Sequence, residues 1–330
     1  MKDLTILAIE TSCDETACAL VKNGREVLKN EVFTQIDIHR EYGGVVPEIA
    51  SRNHVLKLPE VVGKCLNEHY DAIAVTQGPG LAGALICGVS YAKALAYAQH
   101  KPLIAVNHIE GHISANYISH PTLTPPFLCL VVSGGHTMIV LVEDFCTYTC
   151  LGQTRDDAAG EAIDKVSRVL GLPYPGGPAL QKLAQGGSKK AYPMPRSFKG
   201  ETHLDFSFSG PKTTVINMLH HLSQTGGGFN KSDMAASFLE SIVSVLADNT
   251  FEAARRCGVK KIAVAGGVSA NAQLREAFAA RAQQEGAELF IPETKYCTDN
   301  AAMIGSAAYF RAMKGEYAAP DLNADPMLRL

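Results

Sequence analysis

Twice in this chain an apolar run stops at a small polar turn, resumes, turns and resumes again. In the first instance Leu4 to Glu10 runs into Thr11-Ser12-Cys13-Asp14-Glu15-Thr16, continues over Ala17 to Val21, turns at Asn23-Gly24 and returns over Glu26 to Phe33. In the second, Phe127 to Val132 stops at Ser133-Gly134-Gly135-His136-Thr137, continues over Met138 to Val142, turns at Glu143-Asp144 and returns over Phe145 to Leu151. The spacing of the runs predicts three consecutive strands in each instance, and in the first the Asn-Gly pair marks a tight hairpin between the second and third. A helix follows each. Pro47 occupies a first helical position ahead of Ile49, Ala50, Val55, Leu56, Leu58, Val61 and Val62, with a kink or break expected at Pro59, and the second helix spans Asp156 to Leu170.

The resemblance between the halves continues downstream. Ala72 to Val75 passes through Gln77-Gly78-Pro79-Gly80 into an Ala-rich helix, Leu81 to Ala98, and Lys261 to Ala265 passes through Gly266-Gly267-Val268-Ser269 into the helix Ala270 to Gln284. Leu103 to Val106 and Glu288 to Ile291 read as further strands, and Ala301 to Met313 as a helix. Two diverged copies of one strand-and-helix unit predict an α/β chain of two related lobes, which 330 residues accommodate. Between the copies, Leu172 to Lys212 is rich in Pro and Gly and carries Lys189, Lys190, Arg196 and Lys199, so it reads as a turn-rich insertion with a cationic cluster suited to phosphate. Gly226-Gly227-Gly228 reads as a joint before a long helix, Asp233 to Arg256, with Ser232 as its N-cap.

Composition narrows the function classes. No apolar stretch approaches the ~18 residues of a membrane span, and Met1-Lys2-Asp3 leads into a strand instead of a signal peptide, so a cytoplasmic protein is expected. Nine cysteines without a CxxC pair fit a reducing compartment. Cys146 and Cys150, four apart in an expected strand, lie too far from each other to share an ion. A net charge of −3 argues against non-specific nucleic-acid binding by the chain alone, but leaves room for a local basic patch.

Chemistry concentrates at strand ends. Asn107-His108-Ile109-Glu110-Gly111-His112 follows an apolar strand, and two histidines four apart on a helix differ by roughly 40° around its axis, so His108 and His112 share a face and form half a metal site, unless the spacing is chance. Asp299, just before a helix, is either a capping acceptor or a carboxylate available to such a site. The turns Glu10 to Thr16, Ser133 to Thr137 and Gly266 to Asn271 offer backbone N–H groups and small residues suited to an anion.

Read together, Ile9 to Thr16 (IETSCDET), Glu41 to Arg52 (EYGGVVPEIASR), Gly78 to Leu85 (GPGLAGAL), NHIEGH, Val132 to Thr137 (VSGGHT), Asp156 to Lys165 (DDAAGEAIDK), Tyr174 to Pro178 (YPGGP), Asp205 to Gly210 (DFSFSG), Ala265 to Asn271 (AGGVSAN) and Cys297 to Asn300 (CTDN) closely resemble the TsaD family, also called the glycoprotease or YgjD family. The resemblance runs in order from Ile6 to about Tyr309. It implies a two-lobed actin-like (ASKHA, ribonuclease H-like) fold, with 1–107 as the first lobe, completed by a C-terminal helix over 300–330, and 108–299 as the second lobe with its insertion at about 172–212.

The activity implied is transfer of threonylcarbamoyl from threonylcarbamoyl-AMP to the exocyclic amine of adenosine 37, just 3′ of the anticodon, in tRNAs reading codons that begin with A, with release of AMP. His108, His112 and Asp299 match the family's ligands for one divalent ion, iron or zinc. Val132, Ser133, Gly134, Gly135, His136, Asp164, Gly177 and Asn271 match the positions that hold the adenine nucleotide between the lobes. Gln181 stands where relatives often carry Asp. Glu10 and His136 are the candidates for proton handling. Expected partners are the tRNA anticodon loop, a TsaB-like paralogue and a TsaE-like ATPase, with a homodimer for the isolated chain.

Three other readings stay open at this level, one of them another carbamoyltransferase or a kinase on the same superfold, separable by its acceptor. A metal-dependent glycoprotein endopeptidase would need its base beside the first ligand, as in HExxH, whereas Glu110 lies roughly 200° around the helix from His108. A non-catalytic ATP-binding scaffold has no need of both histidines and Asp299.

Overall fold

The computed structural model describes residues 3–198, 200–225 and 228–330. Lys199, Gly226, Gly227 and the first two residues, and with them part of the expected cationic cluster, the glycine joint and the N-terminal lead-in, lie outside the described residues. The elements are β1 (Thr5–Glu10), β2 (Glu15–Lys22), β3 (Glu26–Thr34), α1 (Ile36–Arg40), α2 (Pro47–Gly63), β4 (Ala72–Gly78), α3 (Ala82–Gln99), β5 (Leu103–Asn107), α4 (His108–Ser119), β6 (Phe127–Val132), β7 (Thr137–Asp144), β8 (Thr147–Gln153), α5 (Ala159–Val169), α6 (Gly176–Ala184), α7 (Ser209–Thr225), α8 (Lys231–Cys257), β9 (Lys261–Ala265), α9 (Ala272–Glu285), β10 (Glu288–Phe290) and α10 (Ala301–Met313). No helix among the described residues is long and apolar enough to cross a membrane.

Two units emerge. One comprises the chain up to Pro125 with Asp144–Thr147 and Pro292–Leu330, and the other comprises Pro126–Glu143 and Tyr148–Ile291. The expected lobe boundary at 107/108 therefore moves to Pro125/Pro126, because α4 packs with the first unit. The helix expected over 300–330 ends at Met313, and the remainder is turn and extended chain.

The first unit holds the sheet β3-β2-β1-β4-β5. Its β1–β2 and β2–β3 pairs are antiparallel, and β1, β4 and β5 run parallel. At the β2–β3 turn Asn23 and Gly24 adopt φ 52° and 68°, the left-handed backbone of the expected hairpin. The central strand β1 is buried at every position, and Leu7, Ile9, Leu20, Ile73 and Val75 pack on Leu58, Val61, Val62 and Val89 of the flanking α2 and α3. The expected break at Pro59 does not occur; α2 continues through it.

The second unit repeats this plan with the sheet β10-β9-β6-β7-β8, in which β6–β7 is antiparallel and β9 runs parallel to both β6 and β10. Its core gathers Leu128, Leu130, Phe206, Phe238, Phe251, Val264 and Phe278.

Several local expectations are corrected. The turn expected at Glu143-Asp144 falls at Phe145-Cys146, where Cys146 takes φ 58°, so the expected strand Phe145–Leu151 begins at Thr147. The stretch 172–212 is not turn throughout, since it contains α6 and the start of α7. Helix α8 is capped by Asn230, whose side chain accepts from the backbone N–H groups of Ser232 and Asp233, so Ser232 lies inside the first turn. A 3₁₀ turn, Gly267–Ala270, precedes α9, whose N-cap is Asn271.

Candidate active site

In the first unit the parallel strands end together. Glu10 closes β1, Thr76 lies near the end of β4, and Asn107 closes β5 and caps α4 by accepting from the Ile109 N–H at 2.8 Å. That cap starts the helix at His108, which puts His108 and His112 one turn apart with ring centroids 4.6 Å from each other.

The third candidate ligand arrives through helix packing. A side chain at Gly111 would come within 2.7 Å of Ile304, so its absence lets α10 lie close against α4. Asn300, not Asp299, caps α10, accepting from the Met303 N–H at 3.0 Å. Asp299 is thereby left with its carboxylate Oδ1 3.2 Å from His112 Nε2 and 3.6 Å from His108 Nε2.

These three residues offer donor atoms that all lie within 4.8 Å of one another, the spacing of a site that could hold a metal ion. Two ligands sharing a tetrahedral ion at about 2.05 Å stand roughly 3.3 Å apart, which the histidine–carboxylate distances match. Both ring nitrogens of His112 are buried without a hydrogen-bond partner. Leaving such groups unmet costs about 1–3 kcal/mol, and an ion at Nε2 would satisfy one of them.

Behind His108 lies a buried carboxylate. Glu10 is fully buried; its Oε1 accepts from the Ser12 N–H, and its Oε2 accepts from the Thr76 hydroxyl at 2.7 Å and lies 3.1 Å from His108 Nδ1. Ser12 Oγ is also 3.1 Å from that nitrogen. Burial opposes a charge on His108, yet the Asp299 and Glu10 carboxylates override it and push the imidazole up to about 9. Burial likewise acts to raise Glu10, but the His108 charge and hydrogen bond hold it below the usual range. With both oxygens engaged inside the protein, Glu10 is placed to orient His108.

The remaining first-unit motifs support this arrangement. A side chain at Gly88 would come within 2.2 Å of Thr11 Oγ1 and one at Gly80 within 2.5 Å of the Ser12 carbonyl, so Gly80 of the GPGLAGAL motif and Gly88 beyond it let α3 and the turn before it approach the Thr11-Ser12 turn. Glu110 accepts from Arg311 Nε at 2.6 Å and is fully buried, so it is held by α10 instead of facing the histidines. That removes the base an endopeptidase would need.

The nucleotide-binding candidates lie in the second unit. Val132 is buried at the end of β6; beyond it Ser133 N–H donates to the His136 carbonyl at 2.8 Å, and Ser133 Oγ accepts from the His136 N–H at 3.1 Å. Gly134 and Gly135 are exposed, and a side chain at either would meet open space. Asp164 accepts from the Gly176 N–H at 2.9 Å; burial raises its carboxyl, opposed by the backbone N–H groups of Gly176 and Gly177. Asn271 caps α9 through the Leu274 N–H at 3.0 Å. Next to it the Ala272 N–H donates to the Gln181 side chain at 2.8 Å, so the residue that departs from the family pattern links α6 to the start of α9.

Of the cationic cluster, Lys189 pairs with Glu240 at 3.2 Å and Arg196 with Asp248 at 2.6 Å, while Lys190 is exposed. The first two are therefore engaged by carboxylates, contrary to a role as free phosphate contacts. Sequence reasoning missed Thr76 as a site residue, although a polar residue following an apolar strand was an available signal; Ser12 and Asn107 lie in stretches it singled out but received no role of their own.

Comparison with known proteins identifies the family. Residues 26–306 match the TsaD family, described as tRNA N6-adenosine threonylcarbamoyltransferase. A protein of that name from Clostridium kluyveri is 54% identical over 336 residues, covering 100% of this chain and 98% of its own length. One from Clostridium perfringens is 53% identical over 336 residues, covering 100% and 99%. Among solved structures, full-length HypF in its phosphate- and nucleotide-bound form superimposes with TM-score 0.64 at 15% identity, over 96% of this chain and 47% of that one. Component A of the Acidaminococcus fermentans (R)-2-hydroxyglutaryl-CoA dehydratase gives 0.55 at 17% identity, over 94% and 99%. These two likenesses establish the fold as actin-like, of the ASKHA type. By sequence and by fold, the chain belongs to the TsaD family of tRNA N6-adenosine threonylcarbamoyltransferases, and its chemistry is that of an acyltransferase.

Proposed function

We propose that this chain takes the threonylcarbamoyl group from threonylcarbamoyl-AMP and places it on the exocyclic amine of adenosine 37, just 3′ of the anticodon, in tRNAs reading codons that begin with A. The amine nitrogen forms a bond to the carbamoyl carbon, the bond from that carbon to the phosphate oxygen breaks, and AMP leaves with the electron pair. His108, His112 and Asp299 would hold one divalent ion, and their nitrogen–oxygen donor set suits iron or zinc. Such an ion would supply Lewis acidity toward the carbamoyl group. The observation that carries this reading is the convergence of three donor atoms, two from α4 and one from Asp299 just before the α10 cap, with neither ring nitrogen of His112 in a hydrogen bond.

The chain's own residues bind and orient. The exposed Gly134 and Gly135 backbone, in the turn that Ser133 and His136 close between themselves, holds the adenine nucleotide portion together with Val132, Asp164, Gly177 and Asn271 at the start of α9. Glu10 fixes the ring of His108. His136 is the remaining candidate to accept the proton shed by the amine. A splayed anticodon-loop base suits attack on such a donor. A TsaB-like paralogue and a TsaE-like ATPase complete the working assembly in the cytoplasm, and the isolated chain forms a homodimer.

The test is mass spectrometry of tRNA nucleosides after incubation of chain, partner proteins, tRNA and threonylcarbamoyl-AMP. Threonylcarbamoyladenosine should appear and should be lost in His108→Ala/His112→Ala. Full activity in that double variant, folded and free of metal, would remove the metal from the reaction.

A further inference from the structure

Past α10 the chain does not leave the first unit. It follows the course of β5. The Ala318 N–H donates to the Leu103 carbonyl at 2.8 Å, where that strand begins, and Lys93 donates to the Leu322 carbonyl at 2.8 Å. Gln77 donates its side-chain amide to the Asn323 carbonyl at 3.2 Å and accepts the Asp325 N–H on its own carbonyl at 2.9 Å. Ala318, Leu322 and Ala324 pack against the core of this unit. A side chain at Gly78 would fall 1.8 Å from the Asp325 carbonyl, so glycine there is what admits the segment to the strand end.

Two contacts then reach the ligands by separate routes. Asn107 Nδ2 donates to the Arg329 carbonyl at 3.1 Å while its Oδ1 caps the helix that bears both histidines. The Gly80 N–H donates to the Pro326 carbonyl at 3.3 Å, and the adjoining Leu81 N–H donates to the Ser12 carbonyl at 2.8 Å. Ser12 Oγ in turn lies 3.1 Å from His108 Nδ1.

An amide side chain has a donor end and an acceptor end, so a carbonyl that engages Nδ2 dictates where Oδ1 points. We propose that the segment from Ala318 to Arg329 is a positioning strap. It orients the Asn107 amide as a helix cap and seats the Ser12 loop, and through both it sets His108 for metal binding. The inference rests on the metal reading given above. The strap residues act through Asn107 and Ser12.

Two variants test it. One ends the chain at Ala324. The other, Asn107→Ser in the full chain, keeps a capping hydroxyl but is too short to reach the Arg329 carbonyl. Cobalt(II) affinity is read by its visible absorption and by competition with a chelator, and hydrogen exchange is followed at the His108–Gly111 amides. Both variants should bind cobalt about tenfold more weakly than the full chain, as loss of an outer-shell partner does, and should exchange faster at the start of α4. The cooperative thermal transition and helix content should be retained in Asn107→Ser.

Unchanged cobalt affinity in Asn107→Ser, with unchanged exchange at those amides, overturns the strap even if the truncated chain fails to fold. A full chain that binds no cobalt in a His108-dependent way overturns the metal reading instead, and the strap with it.

Discussion

Oε2 of Glu10 lies 3.1 Å from Nδ1 of His108, with Glu10 fully buried and the His108 side chain 7% exposed. A carboxylate accepting from one ring nitrogen fixes the tautomer that leaves the other free to bind metal, and raises its basicity. Glu10 also accepts from Ser12 and Thr76, so three donors converge on two oxygens. Glu10→Gln replaces one acceptor with a donor and leaves at least one of those groups unmet. Metal affinity, read by chelator competition, should fall about 10- to 100-fold. Affinity within twofold of the parent chain would show that the carboxylate does not orient the ligand.

Arg311 of α10, itself partly exposed and also paired with Glu316, forms an ion pair with the fully buried Glu110 of α4. Removing the arginine alone strands a carboxylate away from water, at a cost of about 3–5 kcal/mol. Replacing both partners with apolar residues leaves no stranded charge. Denaturant unfolding of Arg311→Met should thus show a large loss, most of it recovered in Arg311→Met/Glu110→Leu. Equal losses in both would mean that packing, not charge, holds this contact.

Gly266 adopts φ 90°, and a side chain there would meet the Val132 carbonyl at 2.4 Å. Gly266→Ala therefore incurs both backbone strain and a steric clash where β6 and β9 end together. A loss of about 3 kcal/mol or more is expected. Because Val132 begins the Ser133–His136 turn, nucleotide affinity measured by calorimetry should fall in the same variant. Retention of parental stability would contradict the packing described.

His54 is buried, donates Nε2–H to the Cys13 carbonyl at 2.8 Å, and receives the Thr16 hydroxyl on Nδ1 at 2.8 Å. Burial lowers its pKa below 6.5, against the opposing pull of the Cys13 carbonyl, Glu10 and Asp14, with His39 acting in the same direction as burial. A histidine depressed in the folded state binds fewer protons than in the unfolded one. Its contribution is therefore present above pH 6.5 and is lost as pH falls below that value toward the folded pKa. Between pH 7 and 5 the parent chain should lose more unfolding free energy than His54→Gln, and parallel pH profiles would contradict this.

Much of this fold was legible because local chemistry and tertiary need agree. The Asn23-Gly24 hairpin and the start of α2 at Pro47 required nothing beyond their neighbours. Helix α6 was hidden because Gly176, Gly177 and Pro178 look like a turn, yet proline is tolerated in a first helical turn, where its missing N–H has no intrahelical partner. The choice between Asn230 and Ser232 as the cap of α8 was open to either side chain, and only the extended backbone at Asn230 decides it. His108 and His112 declared themselves by spacing. Asp299 did not, because its distance from them is set by α10 packing on Gly111, which no local pattern encodes. The family resemblance supplied it.

The strands that build the ligand centre also run in register: Ile9 lies beside Val75, and Thr76 beside Val106. Side chains on adjacent strands therefore reach the centre only in the correct parity. Lengthening β4 by one residue before Thr76 would turn its hydroxyl to the opposite face, and lengthening it by two would carry the hydroxyl about 7 Å along the strand, out of reach of Glu10. The centre thus imposes a reading frame on its own scaffold, and tolerated insertions and deletions belong in the turns at the far ends of these strands.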